Sequence, residues 1–236
     1  MNLCALLLVL SPLQTESGQW IELSNGTDLS EWSGDKRFWR IEDGVIIGES
    51  TPELPCQSTN YLIRDGLRAA DFEFECSYRI NGGNSGVQFR TRRNGETSVR
   101  GYQADIEDGP NWTGCLYEQD GRGVMVRRGE RTSFAAGNKK EITGSTGDPK
   151  ELLALAPSGE WNRYHIRAVG NVIELSINDT LMCTLEDNDP ARTTAGLFCM
   201  QLHQGPPMKV EFKDLRARHI GDPPTPESTE LTEDLD

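Results

Sequence analysis

Two short stretches of this chain carry side chains whose types and spacing could do chemistry. Residues 82–90 read Gly82-Gly83-Asn84-Ser85-Gly86-Val87-Gln88-Phe89-Arg90, and residues 101–108 read Gly101-Tyr102-Gln103-Ala104-Asp105-Ile106-Glu107-Asp108. Side chains along a strand point to opposite faces with a period of two. Val87 and Phe89 then share one face, and Asn84, Gln88 and Arg90 share the other. Tyr102, Ala104 and Ile106 share a face opposite Gln103 and Asp105. Amides can hold sugar hydroxyls, a carboxylate can accept a proton, and a fixed guanidinium can stabilise developing negative charge. Together on one sheet face they read as a saccharide-binding floor rather than a solvated surface. A third strand adds Gln201 and His203, opposite Phe198, Met200 and Leu202. An imidazole that titrates near neutrality suits a proton shuttle.

The elements that must position these groups are strands. Asp71 to Ile80 alternates strictly, with Phe72, Phe74, Cys76, Tyr78 and Ile80 on one face and Asp71, Glu73, Glu75, Ser77 and Arg79 on the other. Trp161 to Val169 alternates likewise. Trp39 to Ile47 reads as a hairpin whose Asp43-Gly44 supplies the two positive-φ positions of a tight turn. Val172 to Ile177 and Thr180 to Leu185 form another hairpin around Asn178-Asp179, and Gly196 to His203 and Met208 to Leu215 close the set. About ten to thirteen strands with hardly any helix are expected. Residues 120–160 are rich in glycine and basic residues and read as a long functional or mobile loop, with Val124 to Arg128 as a strand inside it and one helical turn at Glu151 to Ala156. Many alternating strands without helices require two packed sheets. The expected fold is an all-β, jelly-roll-like β-sandwich of two antiparallel sheets, of a kind in which one sheet is often concave and carries the ligand.

Composition sets the outer limits. The 236 residues carry a formal net charge of −13. Residues 221–236 hold six of the 37 acids (Asp222, Glu227, Glu230, Glu233, Asp234 and Asp236) and no Lys or Arg; the remaining 31 face 24 bases. That segment, with Pro223, Pro224 and Pro226, reads as an acidic disordered tail. A mildly acidic body argues against nucleic acid and anionic membrane as partners. Residues 1–14 have an apolar core of signal-peptide length, too short to span a bilayer, although no Lys or Arg precedes it. The expected organisation is therefore a leader over 1–14, one sandwich over 15–220 and the tail, with a secreted or periplasmic location and no membrane insertion. Six cysteines occur; removal of the leader would take Cys4 and leave an odd, widely spaced five, which is no disulfide framework. With no Cys-x-x-Cys and three scattered histidines, no metal site is expected, and a divalent cation held by Asp105, Glu118 and His203 is the less favoured option.

The residues from 20 to about 218 resemble the 3-keto-disaccharide hydrolase family, also described as 3-keto-glucoside lyases and hydratases. The resemblance rests on Trp20 to Trp32, Asp71 to Arg90, Gly101 to Ile106, Gly114 to Glu118, Gly159 to Tyr164 and Ala195 to Leu215. The run Gly82 to Gly86 taken together with Leu202-His203-Gln204-Gly205-Pro206-Pro207 is its specific part. The resemblance implies a concanavalin-like jelly roll and cleavage of 3-keto-glycosides. A ketone at C3 acidifies the proton on C2; its removal gives an enolate that expels the C1 group, and water then adds. Such a site needs a base near C2, an electrophile near the C3 oxygen and an acid near the leaving oxygen.

Asp105, His203, Arg90 and Glu118 are the candidate catalytic residues. Asp105 is a base or the ion-pair partner of Arg90; Arg90 is the electrophile or that structural partner. His203 shuttles a proton or caps the turn at Gly205-Pro206-Pro207. Glu118 is the acid or a solvated turn carboxylate. Asn84, Gln88, Gln103, Tyr117 and Gln201 are candidate substrate-binding residues, with Trp112 a further stacking surface or a core residue. His165 reads as solvated and His219 as inert. A small saccharide or glycoside is the expected ligand, and a non-catalytic carbohydrate-binding module on the same sandwich is the alternative.

Overall fold

A computed structural model describes residues 18–95 and 98–220. The expected leader and the acidic tail lie outside the described residues. Within them the chain forms two stacked sheets. In chain order the strands are β1 Ile21–Glu22, β2 Trp32–Ser33, β3 Trp39–Glu42, β4 Val45–Ser50, β5 Asn60–Arg64, β6 Phe72–Asn81, β7 Asn84–Asn94, β8 Ser98–Glu107 and β9 Leu116–Gln119. They continue as β10 Gly123–Val126, β11 Glu130–Ala135, β12 Lys139–Ser145, β13 Asn162–Val169, β14 Val172–Ile177, β15 Thr180–Asp187, β16 Leu197–Leu202 and β17 Met208–His219. One sheet runs β12-β11-β15-β14-β13-β6-β17-β4-β3, with β1 also on β17. The other runs β10-β9-β8-β7-β16-β5-β2. All pairs are antiparallel except β11 with β15, which is parallel, so the larger sheet is mixed rather than purely antiparallel.

The alternation expected for β6 holds at every position: Phe72, Phe74, Cys76, Tyr78 and Ile80 are buried between the sheets. They meet Val87, Phe89, Tyr102, Ala104, Ile106, Phe198 and Met200 of the smaller sheet, with Phe72 edge-on to Phe89 and Phe198. Burying such side chains contributes roughly 1.5–3 kcal/mol each, which makes register strongly specified wherever one face is covered. The opposite face of β6 meets cations instead. Glu73 pairs with Arg167 and Arg218, Glu75 with Arg216, and Arg79 with Glu211. Trp20 lies under Arg216 and Arg218, and Trp161 under Arg79 and Lys213. The outward face of the larger sheet is thus a solvated charge lattice.

The hairpin turns follow the reading of their residues. Asp43 and Gly44 take φ of 49° and 79°. Asn178 and Asp179 take 49° and 64°, so the aspartate accepts the left-handed position a glycine would fill at less cost. Residues 120–160 are more ordered than expected: they contain β10, β11, β12 and a helix, α1, at Pro149–Ala154. Asp148 caps α1 by accepting from the backbone N–H groups of Lys150 and Glu151, and Pro149 starts it. The five described cysteines are free and buried. No helix among the described residues is long and apolar enough to cross a membrane.

The parity argument fails at one point. The pairing of β7 with β8 shifts register between Phe89 and Arg92, and Arg90 sits in the bulge with φ of 48°. A bulge inserts one residue and re-aims the side chains after it. Arg90 therefore leaves the face of Gln88 and is buried. It donates to Ala70 O at 2.8 Å, to Gly170 O at 3.0 Å and to Asp71 Oδ1 at 3.2 Å. Gly196 makes the bulge possible, since a Cβ there would come within 2.4 Å of the Arg90 and Thr91 backbone. Arg90 is a clamp between the two sheets, neither the partner of Asp105 nor the electrophile. Arg90→Met removes the hydrogen bonds of a buried guanidinium whose Asp71 partner is itself 40% exposed, and is expected to lower unfolding free energy by about 1–3 kcal/mol in a urea titration; no measurable loss contradicts the clamp.

Candidate functional site

The outward face of the smaller sheet holds the cavity, of about 470 Å³. Sugar-sized ligands occupy pockets of roughly 300–1,000 Å³. Its floor is Gln103, Asp105 and Gln201, set on β8 and β16 with β7 between them. Its walls are Trp112 and Tyr117 with Gln119, then Asn84, Glu107 and Asp108, then His203, Gln204, Pro206 and Met208. Six expected site residues are thus brought together: Asn84, Gln103, Asp105, Tyr117, Gln201 and His203. Gln88 lies beneath them, fully buried, and touches the site only through Gln103.

Glu118 is not among them. Tyr117 and Gln119 point into the cavity, so the residue between them must point the other way. The Glu118 carboxylate meets Arg122 at 2.6 Å, and Arg122 also meets Asp187 at 2.5 Å. The Tyr102 hydroxyl donates to the same Asp187. Burial presses the Arg122 guanidinium down, but Asp187 and Glu118 outweigh it and hold its pKa above the usual value. Glu118 belongs to a structural network behind the sheet and cannot act as an acid in the cavity. The segment 120–160 contributes none of the cavity-lining residues and supports the site from behind: the Arg127 guanidinium covers the Trp112 ring at 5.5 Å, Val124 pairs with Tyr117, and Ser158 holds Asp108.

Asp105 is the unusual group. Only 4% of it is exposed, and among the described residues no cation pairs with it. Burial pushes its pKa up from 3.8 to about 8, Gln103 opposes this by donating a hydrogen bond to Oδ1, and the Glu107 charge adds to the rise. The neighbouring carboxylates are held differently. Glu107 Oε2 accepts from the backbone N–H groups of Asn111 at 2.7 Å and Trp112 at 3.0 Å, which fixes the Trp112 wall. Asp108 accepts from Ser158 Oγ and from Gly82 N, and both lower its pKa. His203 Nδ1 lies 2.6 Å from the Gln204 carbonyl, which can only accept, so Nδ1 carries a proton and Nε2 is free to exchange one. Of the expected roles for His203, the ring is therefore anchored by the turn while lining the cavity. No three metal-ligating side chains converge among the described residues.

Glu107, Asp108, Gln119, Gln204, Pro206 and Met208 were missed as site residues. Parity could have found two, because Glu107 shares the face of Asp105 and Gln119 that of Tyr117. The rest arrive through turns, which alternation does not describe. The ensemble is a cavity with an aromatic wall, several amides, a protonatable carboxyl on the floor, a histidine on the rim, and no Lys or Arg in its lining. It can grip a neutral polyol and move one proton.

A family model for the 3-keto-alpha-glucoside-1,2-lyase-like domain matches residues 19–218. No curated protein matches. Among solved structures, a protein described as a glycosyl hydrolase from Parabacteroides distasonis is 17% identical, with a TM-score of 0.57 over 87% of this chain and 94% of that one. The endo-beta-1,3(4)-glucanase SCLam, of family GH16, is 12% identical, with a TM-score of 0.54 over 89% and 92%. The beta-glucanase of Bacillus licheniformis is 12% identical, with a TM-score of 0.51 over 87% and 99%. At such identities these likenesses establish the jelly-roll fold.

The Asp105 environment has a signature in the free protein. Its folded pKa lies above its unfolded value, so its contribution is fully favourable below about pH 4 and is lost as pH rises through about 8. The folded state binds the extra proton across that window, and stability falls by up to about 1.4 kcal/mol per pH unit there. Thermal unfolding followed from pH 5 to 9 should show this decline, and Asp105→Asn should flatten it. Equal slopes in the two proteins would mean that Asp105 is not a buried, raised-pKa acid.

Proposed function

We propose that this chain, which belongs to the 3-keto-alpha-glucoside-1,2-lyase-like family, cleaves 3-keto-glycosides by elimination and hydration, with Asp105 as the base. The observation that carries the reading is the Asp105 carboxyl on the cavity floor, buried with no cation beside it among the described residues, so that burial pushes its pKa up to about 8. A base with that pKa removes a weakly acidic carbon-bound proton better than an ordinary carboxylate does, because proton affinity rises with pKa.

The sugar lies on the amide floor with an apolar face against Trp112 or Tyr117. Asp105 takes the C2 proton, and the electron pair moves into a C2–C3 double bond, leaving negative charge on the C3 oxygen. Arg90 is unavailable to that oxygen, so neutral donors meet it, the Gln201 and Asn84 amides being those on the floor and the near wall. Collapse of the enolate restores the ketone, forms a C1–C2 double bond and expels the C1 oxygen. His203, at the rim, supplies a proton to that leaving oxygen. Water then adds to C1, giving its proton to His203, and Asp105 returns its proton to C2.

Ordinary glycoside hydrolysis is less well supported. It needs one protonated and one ionised carboxyl flanking the scissile bond. Glu107 and Asp108 both accept backbone N–H groups and are turned toward the protein, and the Ser158 and Gly82 donors lower the pKa of Asp108.

Incubation with a 3-keto-glucoside should release the aglycone, while the parent glucoside without the ketone should not react. kcat/KM should rise with pH to a plateau above about 8, following Asp105. Asp105→Asn should lose at least about 100-fold in kcat while still binding the sugar. Binding of both sugars with no turnover of either, by a well-folded wild-type chain, would mark a carbohydrate-binding module instead.

A further inference from the structure

Gln88 and Gln103 were expected to bind substrate hydroxyls, but their hydrogen bonds run elsewhere. Gln88 Nε2 donates to Gln103 Oε1 at 2.7 Å. Gln103 Nε2 donates to Asp105 Oδ1 at 2.6 Å and to Gln201 Oε1 at 3.2 Å. A primary amide has two N–H donors and one carbonyl acceptor. Both donors of Gln103 are thus engaged, and its carbonyl is taken by a residue with no exposed surface. The chain also has a direction. Because Gln88 donates, the carbonyl of Gln103 must face Gln88 and its N–H groups must face Asp105 and Gln201.

Gly86 explains how the amide fits. It is the cross-strand partner of Asp105 on one side and of Gln201 on the other. A Cβ at Gly86 would lie 2.6 Å from Gln103 Cγ and 2.8 Å from its Cδ. The Gln103 side chain therefore lies flat across Gly86, reaching both neighbours, in space that any other residue would occupy.

We propose that Gln88, Gln103 and Gly86 form a positioning relay for Asp105, which holds Oδ1 in a donated hydrogen bond and leaves Oδ2 as the oxygen that exchanges a proton with the ligand. Among the described residues Oδ2 has no partner, and Asp105 lines the cavity. The relay rests on the proposed function only for the identity of the ligand. Other groups facing Asp105 are Glu107 on its own strand, Cys115 on the neighbouring loop, Tyr164 and Cys183 of the opposite sheet, and Asp108, Tyr117 and His203 around the cavity. Of these, Tyr117 is the cross-strand neighbour of Gln103; none of the others shares a hydrogen bond with its side chain among the described residues. Beyond the relay the Tyr61 hydroxyl lies beside Gln88 and Gln201, with burial pushing its pKa up to about 12, so it remains a neutral donor.

The test is a carbon-13 NMR titration of the Asp105 carboxyl in the full chain, assigned by its absence in Asp105→Asn. Gln103→Leu keeps the volume and removes the donor. The Asp105 midpoint should then move up by about one to two pH units. The rising limb of kcat/KM should move with it while KM changes less than about twofold. Gly86→Ala, which removes no polar group but crowds the Gln103 side chain and the Ala104 carbonyl, should move the midpoint the same way; should it fail to fold, Gln103→Leu decides alone. An unmoved Asp105 midpoint in Gln103→Leu overturns the relay. So does a tenfold rise in KM with an unmoved pH profile, which would return Gln103 to substrate binding. If the wild-type chain turns over no 3-keto-glycoside and the midpoint still moves, the relay stands and the proposed reaction falls.

Discussion

The molecule buries a carboxyl group without giving it a cation. Removing an ionised carboxylate from water costs several kcal/mol even after the surroundings relax, and proteins usually answer by pairing the charge or by letting the group keep its proton. At Asp105 the fold takes the second course. Everything around the cavity is consistent with that choice: amides that solvate without neutralising, an aromatic wall, the Glu107 charge that raises the proton affinity further, and no Lys or Arg in the lining. The sandwich bears the cost through its apolar core, where β6 alone contributes five buried side chains.

The two faces of β8 and β9 show how one sheet separates stability from chemistry. On the inward side, Glu118, Arg122, Asp187 and Tyr102 form a saturated network in which each charge has an opposite within hydrogen-bond distance. Such a network holds position and has no proton to lend. On the outward side, Gln103 and Asp105 form a network that is satisfied on one oxygen and open on the other. The separation follows from period-two alternation alone, since adjacent residues in a strand cannot serve the same face.

Alternation is also why so much was legible in the residues. The inward set of β6, the hairpins at Asp43-Gly44 and Asn178-Asp179, and the meeting of Gln103, Asp105, Gln201 and His203 all follow from counting by two and from turn chemistry. Three things did not follow. Arg90 was misplaced because a bulge breaks the count, and its signature, a close approach to Gly196, lies more than a hundred residues away in the chain. Glu118 was misplaced by ignoring the count, since it was grouped with its immediate neighbour Tyr117. The strands β11 and β12 were read as loop because β12 is exposed along its whole length and β11 buries only Thr132 and Phe134, too little hydrophobic pattern to read.

The glycine run before β7 carries more information than a turn requires. Gly82 and Gly83, with φ of 73° and 65°, suffice to reverse the chain between β6 and β7. Gly86 has no such conformational duty; its glycine is explained by what lies against it, the Gln103 side chain and the Ala104 carbonyl oxygen of the next strand, 2.9 Å from where a Cβ would sit. A motif of this kind records two constraints at once, one on backbone dihedrals and one on space above the sheet. The second connects to chemistry, because the space admits an amide whose donors reach both Asp105 and Gln201. A sandwich of the same fold with a larger residue at this position would keep its hairpin and its core. Under the proposed relay it would lose the contact that holds Asp105 Oδ1 and leaves Oδ2 open to the cavity.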